Sequence, residues 1–212
     1  MKTNLCVIFL CLFSFFEINA QTEKCSLEKS SFSELRTVNT EKAICLAQNS
    51  DKDITLFYVL ADFCSGCKVQ LPEAIKLSEE YNMDFYAILG DPEHESSTIY
   101  KTLNLIHSYN KRLKTVIISD SLYSEANLKY VKKSRLIEIR GAKHWEKYRN
   151  FLTKITTPGF ENVVCLPKYI AINKKGEVIF ISDAYKDGNV SDKEAINKSI
   201  EMDRTMNKRV DN

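Results

Sequence analysis

Apolar and polar positions alternate along this chain in two rhythms, one of short unbroken or every-other-residue runs and one with helical spacing. Between residues 33 and 48, Leu35, Val38, Ala43, Ile44 and Ala47 fit one helix face over at least the second half of the stretch. "NSDKD" is a turn, and residues 54–61, "ITLFYVLA", are β-branched and aromatic, which predicts a buried strand. A helix is expected from Ser65, with Val69, Ala74, Ile75, Leu77 and Ser78 facing inward and Pro72 kinking its first turns. Residues 83–91 predict a second strand running into a loop, and Ile99, Leu103, Leu105 and Ile106 a helix over 96–109. Residues 114–119 and 134–140 predict strands around a helix near 124–132. Residues 142–155 are amphipathic, with Trp145, Tyr148, Phe151, Leu152 and Ile155 on one face. A hairpin follows: strand 168–172, turn 173–176, strand 177–181. A last helix covers 191–206, with Ala195, Ile196 and Ile200 inward. Strands alternating with helices, then a late hairpin, imply an α/β sandwich with a mixed sheet.

The length of 212 residues suits one domain, or one with an insertion, and 44% hydrophobic content suffices for a core without staples. A net charge of +2 gives no general signal for nucleic acid. The N-terminus changes the picture. Lys2, the apolar run "LCVIFLCLFSFF" and "EINA" ending at Ala20 have the layout of a secretory signal peptide cut before Gln21. The run is shorter than the roughly 20 residues a membrane span needs, so the mature chain is expected to hold no span. Neither Cys6 nor Cys11 follows the small residue that a lipoprotein signal requires. The chain divides into a signal (1–20), a polar, flexible arm (21–33), one domain (34–206) and a tail (207–212).

Export removes Cys6 and Cys11 and leaves Cys25, Cys45, Cys64, Cys67 and Cys165, an odd set. Cys25 and Cys45 either tie the arm to the first helix as a disulfide, or stay a disordered Cys25 and a buried Cys45. Cys64 and Cys67 form a CxxC where a strand ends and a helix begins. The unpaired N–H groups and the dipole of the first turn stabilise a thiolate there. Cys64 is the expected nucleophile on a substrate disulfide, and Cys67, one turn on, the resolving thiol. Gly66 relieves crowding where a substrate backbone approaches. Zinc would need about four ligands; there is no second CxxC, and His94, His107 and His144 are scattered. A purely structural i, i+3 disulfide closes too small a loop to stabilise much. A redox pair is the favoured reading.

The strand "ITLFYVLADF", then "CSGC", then "KVQLP" with Pro72, and the distant "CLPKYIAINKKGEVIF" together resemble the thioredoxin superfamily over about residues 34–206. Within it the chain is most similar to the exported TlpA-like thiol–disulfide oxidoreductases. The resemblance implies a thioredoxin-like three-layer α/β sandwich with a mixed central sheet, and an inserted strand–helix segment somewhere within residues 91–155, which exceed what a minimal thioredoxin fold needs there. It implies a cis Leu166–Pro167 peptide whose loop faces Cys64 and pairs with substrate backbone. Cys64 and Cys67 would be the redox-active disulfide, and Phe63, Leu166 and Pro167 the substrate-binding residues. Protein thiols and disulfides would be the substrates, with an upstream redox partner, no cofactor, and reduction favoured over oxidation. The compartment would be the periplasm or cell envelope, or else the extracellular space. Three positions depart from the family pattern. Phe63 stands where Trp is usual, Tyr58 where many members carry a buried acid, and Gln70 where TlpA-like members often have Glu. Asp62 is then the only nearby acid, and Cys67 lacks the carboxylate that would act as its base.

Cys165 lies two residues before Pro167 and so near the same site. It bears on an alternative reading, a thioredoxin-fold metal-handling or binding protein that holds Cu(I) or zinc on Cys64 and Cys67, with or without Cys165 as a third sulfur. A small buried strand residue is the favoured reading of Cys165. Lys111, Arg112, Lys114, Lys129, Lys132, Lys133 and Arg135 outnumber Asp120 and Glu125 in the middle segment, and a solvated face is the commoner meaning of such a run. Asn189 and Asn197 begin glycosylation sequons, which matter only in a eukaryotic host.

Overall fold

All seven residues of strand β2 (Ile54–Leu60) are buried, as a run apolar on both faces requires. It is a central strand of the sheet. The computed structural model describes residues 24–31, 35–93, 96–127, 145–156, 166–182 and 192–210. These form strands β1 (Arg36–Val38), β2, β3 (Asp84–Leu89), β4 (Lys114–Ile118), β5 (Lys168–Asn173) and β6 (Val178–Ile181). The helices are α1 (Thr40–Gln48), α2 (Ser65–Glu80), α3 (Ser96–Tyr109), α4 (Glu146–Ile155) and α5 (Asp192–Val210), with a 3-10 turn at Asp120–Leu122. The signal segment, the expected strand 134–140, Cys165, His94, His144 and Asn189 lie outside the described residues, as does most of the expected helix near 124–132.

The six strands lie in the order β1-β4-β3-β2-β5-β6. β1 through β2 pair in parallel, while β5 is antiparallel to both β2 and β6. Alternation along each strand divides the core in two. Phe57, Val59, Tyr86, Ile88, Val116, Ile118, Ile170 and Ile172 face α1 and α4. Leu56, Tyr58, Leu60, Ala87, Leu89, Ile117, Tyr169 and Ala171 face α2, α3 and α5. The result is a three-layer α/β sandwich with a mixed sheet. β4, which lies within residues 91–155, takes a place between β1 and β3.

The helix expected over at least the second half of 33–48 is α1; β1 precedes it at 36–38, and Asn39 caps it by accepting from the Lys42 N–H at 2.9 Å. Two local expectations need correction. On α2, Val69 is 79% exposed, whereas Cys67, Leu71, Ala74 and Ser78 form the buried i, i+4, i+7, i+11 stripe. The arm expected to be flexible is held down from Lys24 to Ser31. Cys25 is disulfide-bonded to Cys45 of α1, Leu27 is buried in the core, and Lys29 bridges Arg36.

Candidate redox site

β2 delivers Ala61 to the sheet edge, and the chain turns there, with the Cys64 N–H donating to the Ala61 carbonyl at 3.0 Å. Cys64 is then the N-cap of α2. Its sulfur accepts the Cys67 N–H at 3.1 Å, the bond that would stabilise a thiolate at this position. Cys64 and Cys67 are joined as a disulfide, with Cα atoms 5.3 Å apart. Cys64 is half-buried and Cys67 fully buried. An incoming sulfur can therefore reach the first and not the second.

The Leu166–Pro167 peptide is cis. Antiparallel pairing of Val59 with Lys168 brings this loop to the edge where β2 ends. A Cβ added to Gly66 would lie 3.9 Å from Pro167 Cδ, so the CxxC and the proline face each other. Phe63 is 40% exposed beside the pair. Phe63, Leu166, Ala61, Gly90, Trp145 and Tyr148 rim a small apolar crevice. Cys64, Cys67, Phe63, Leu166 and Pro167 thus lie in one place. His107 lies elsewhere, in the last turn of α3. Among the described residues no group of three or more His, Cys, Asp or Glu is arranged to hold a metal ion. No described helix is long and apolar enough to cross a membrane.

Tyr58 occupies the position beneath the pair. Its hydroxyl donates to the Cys67 carbonyl at 2.8 Å, and its ring meets Tyr169 edge-on at 5.1 Å. Burial, and secondarily the neighbouring Tyr169, push its phenol far above the ordinary value, so it keeps its proton. Tyr58 can anchor the helix but cannot take a proton from Cys67. Gln70 is exposed. Asp62 pairs with Lys68 at 3.4 Å on the surface.

Sequence reasoning missed a second layer behind the loop. Both carboxylate oxygens of Asp91 accept the Asp62 N–H, at 3.2 and 3.3 Å. The Asp91 carbonyl accepts from Lys147 Nζ at 2.6 Å. That ammonium is fully buried and also donates to the Ile118 carbonyl at 2.9 Å and to Asp120 Oδ1 at 2.8 Å. A buried ammonium needs such a shell of acceptors. Trp145, at the start of α4, meets the Phe63 ring edge-on at 5.2 Å. The available signal was position: Lys147 stands at i, i+4, i+8 with Phe151 and Ile155, on the apolar face of α4.

No protein-family model matches the chain, and no curated protein sequence does. Among solved structures it is similar to a thio-disulfide isomerase from Thermus thermophilus, at 15% identity and a TM-score of 0.40, over 72% of this chain and 81% of that one. It is also similar to the thioredoxin domain of a thiol-disulfide oxidoreductase from Bacteroides vulgatus, at 14% identity and 0.39, over 69% and 78% of the two chains. A thioredoxin-like protein from Porphyromonas gingivalis is similar at 13% identity and 0.39, over 72% and 76%.

Proposed function

We propose that the chain is an exported thiol–disulfide oxidoreductase that exchanges disulfides with protein substrates, reduction being the favoured direction. The observation that carries this reading is a half-buried Cys64 at a helix N-cap, bonded to a buried Cys67 and faced by Pro167. In the reduced enzyme the Cys64 thiolate attacks a substrate disulfide. One substrate sulfur leaves as thiolate, and a mixed disulfide forms on Cys64. Cys67 then loses its proton and attacks Cys64 Sγ. The second substrate thiolate leaves, and two electrons have passed to the substrate. An upstream dithiol returns the pair to the reduced state.

Phe63, Leu166 and Pro167 are assigned to substrate binding, with the loop at Pro167 offering backbone to an extended segment. The signal-like N-terminus and the Cys25–Cys45 disulfide support export to an oxidising compartment, the periplasm or cell envelope. The test is insulin reduction with dithiothreitol. Wild type is expected to accelerate precipitation and Cys64→Ser not to. Equal activity of the two removes Cys64 from the role of nucleophile.

A further inference from the structure

The start of α4 reaches the loop before Cys64 by two routes, one direct and one through Asp91. The Trp145 ring packs edge-on against Phe63, the residue before the nucleophile. Lys147 binds the Asp91 carbonyl, while the Asp91 carboxylate binds the N–H of Asp62, two residues before the nucleophile. The same ammonium ties Asp91 to the Ile118 carbonyl at the end of β4 and to Asp120 just beyond it. Glu93 closes the cluster: its Oε1 accepts the Asp120 N–H at 2.8 Å, and its own N–H donates to Asp120 Oδ1 at 3.2 Å. Neither contact involves the sulfurs. Both fix where the turn Ala61–Cys64 sits, and that turn decides whether Cys64 Sγ reaches the Cys67 N–H.

We propose that the start of α4, through Trp145 and Lys147, holds the loop carrying Cys64 at the place where its sulfur meets the Cys67 N–H. Both are positioning residues for the redox reading above, on which this inference rests. A buried ammonium with three fixed acceptors is a rigid pin, and the aromatic pair adds a second hold from the solvent side. With the pins gone, the turn relaxes and the sulfur loses part of its bond to the N–H. A thiolate depends on that bond more than a thiol or a disulfide does.

The test is the rate of Cys64 alkylation by iodoacetamide in the reduced full chain, followed from pH 5 to 9 by peptide mass. The variants are Trp145→Leu and the double variant Asp120→Asn/Lys147→Met, which removes both buried charges together and so leaves no new unpaired ion between them. Circular dichroism confirms that each folds. Among the described residues, the other titratable groups in the contacts named around the pair are Asp62, Lys68, Asp91 and the Tyr58 hydroxyl; all are kept, so their effects cancel in the comparison. Each variant is expected to move the midpoint upward and to slow alkylation at pH 7 by about threefold to tenfold. Lys154→Ala, exposed in the last turn of α4, is expected to change nothing. An unchanged midpoint in either folded variant, or an equal shift in Lys154→Ala, overturns the proposal. No substrate is present, so the outcome is separate from whether the protein reduces insulin.

Discussion

The Tyr58 hydroxyl donates to the carbonyl oxygen of Cys67 at 2.8 Å, so a neutral phenol underlies Cys67. A carboxylate there could accept the Cys67 proton; this phenol, held protonated by burial, cannot. Tyr58→Phe is expected to cost about 1 kcal/mol of stability, the net worth of one hydrogen bond. It should leave the pH profile of insulin reduction unchanged between about pH 6 and 9, because the phenol does not titrate there. A profile that changes shape in this variant would show that Tyr58 takes part in proton transfer.

Alkali should destabilise the fold through its tyrosines. Burial raises the phenols of both Tyr58 and Tyr86, with Tyr169 adding to the first and Asp84 to the second. Below about pH 10 both folded and unfolded chains hold these protons, and stability is level in this respect. Above it the unfolded chain releases protons that the fold retains, so stability falls by about 1.4 kcal/mol per pH unit for each phenol. Urea titrations at pH 9, 10 and 11 measure the slope. Tyr58→Phe should remove one phenol's share of it.

Gly66 separates substrate passage from folding. An alanine Cβ would make only an ordinary 3.9 Å contact with Pro167, and in the first turn of α2 it should stabilise by about 0.5–1 kcal/mol. The same methyl narrows the gap through which a substrate backbone would pass. Gly66→Ala should raise the melting temperature yet slow insulin reduction by roughly threefold to tenfold. Reaction with a small disulfide such as oxidised glutathione should be little affected. Equal rates with insulin would mean that the backbone does not pass there.

The Cys25–Cys45 disulfide closes a loop with a sequence separation of 20. Replacing both cysteines by serine should cost about 3 kcal/mol by the chain-entropy estimate. Lys42 Nζ donates to the Cys25 carbonyl at 2.8 Å and Leu27 is buried, so the arm should keep part of its hold. Thermal unfolding measures the loss. Cys64 alkylation in the folded variant should match wild type, because neither serine lies near the CxxC.

What could be read from the chain follows from what kind of physics each element uses. β2 and α2 were legible because an unbroken β-branched run and a CxxC at a helix start are local patterns. The hairpin was legible for the same reason, through the turn ending at Gly176, whose φ of +86° suits glycine. β1 was not, since three residues gain their strand character only by pairing with β4. Val69 was assigned inward by its apolar nature alone, and the register set by Cys67 and Leu71 turned it to solvent. Lys147 escaped because a lysine reads as surface, and its acceptors come from the end of β4 and the turns after β3 and β4. In the candidate site the sulfurs and the proline were legible, while the Trp145–Phe63 contact joins parts of the chain that only the fold brings together.

The antiparallel pairing of β2 with β5 has a consequence for when the protein becomes reactive. β2 and the dithiol precede the extra segment along the chain, whereas β5 and its proline follow it. A nascent chain emerging from its N-terminus carries the two sulfurs long before it carries the opposite wall of the cleft. On the function proposed above, until β5 docks the thiols would belong to an unfinished protein and would meet any disulfide without selection. Substrate choice, unlike sulfur chemistry, would then be a property acquired at the closing of the sheet.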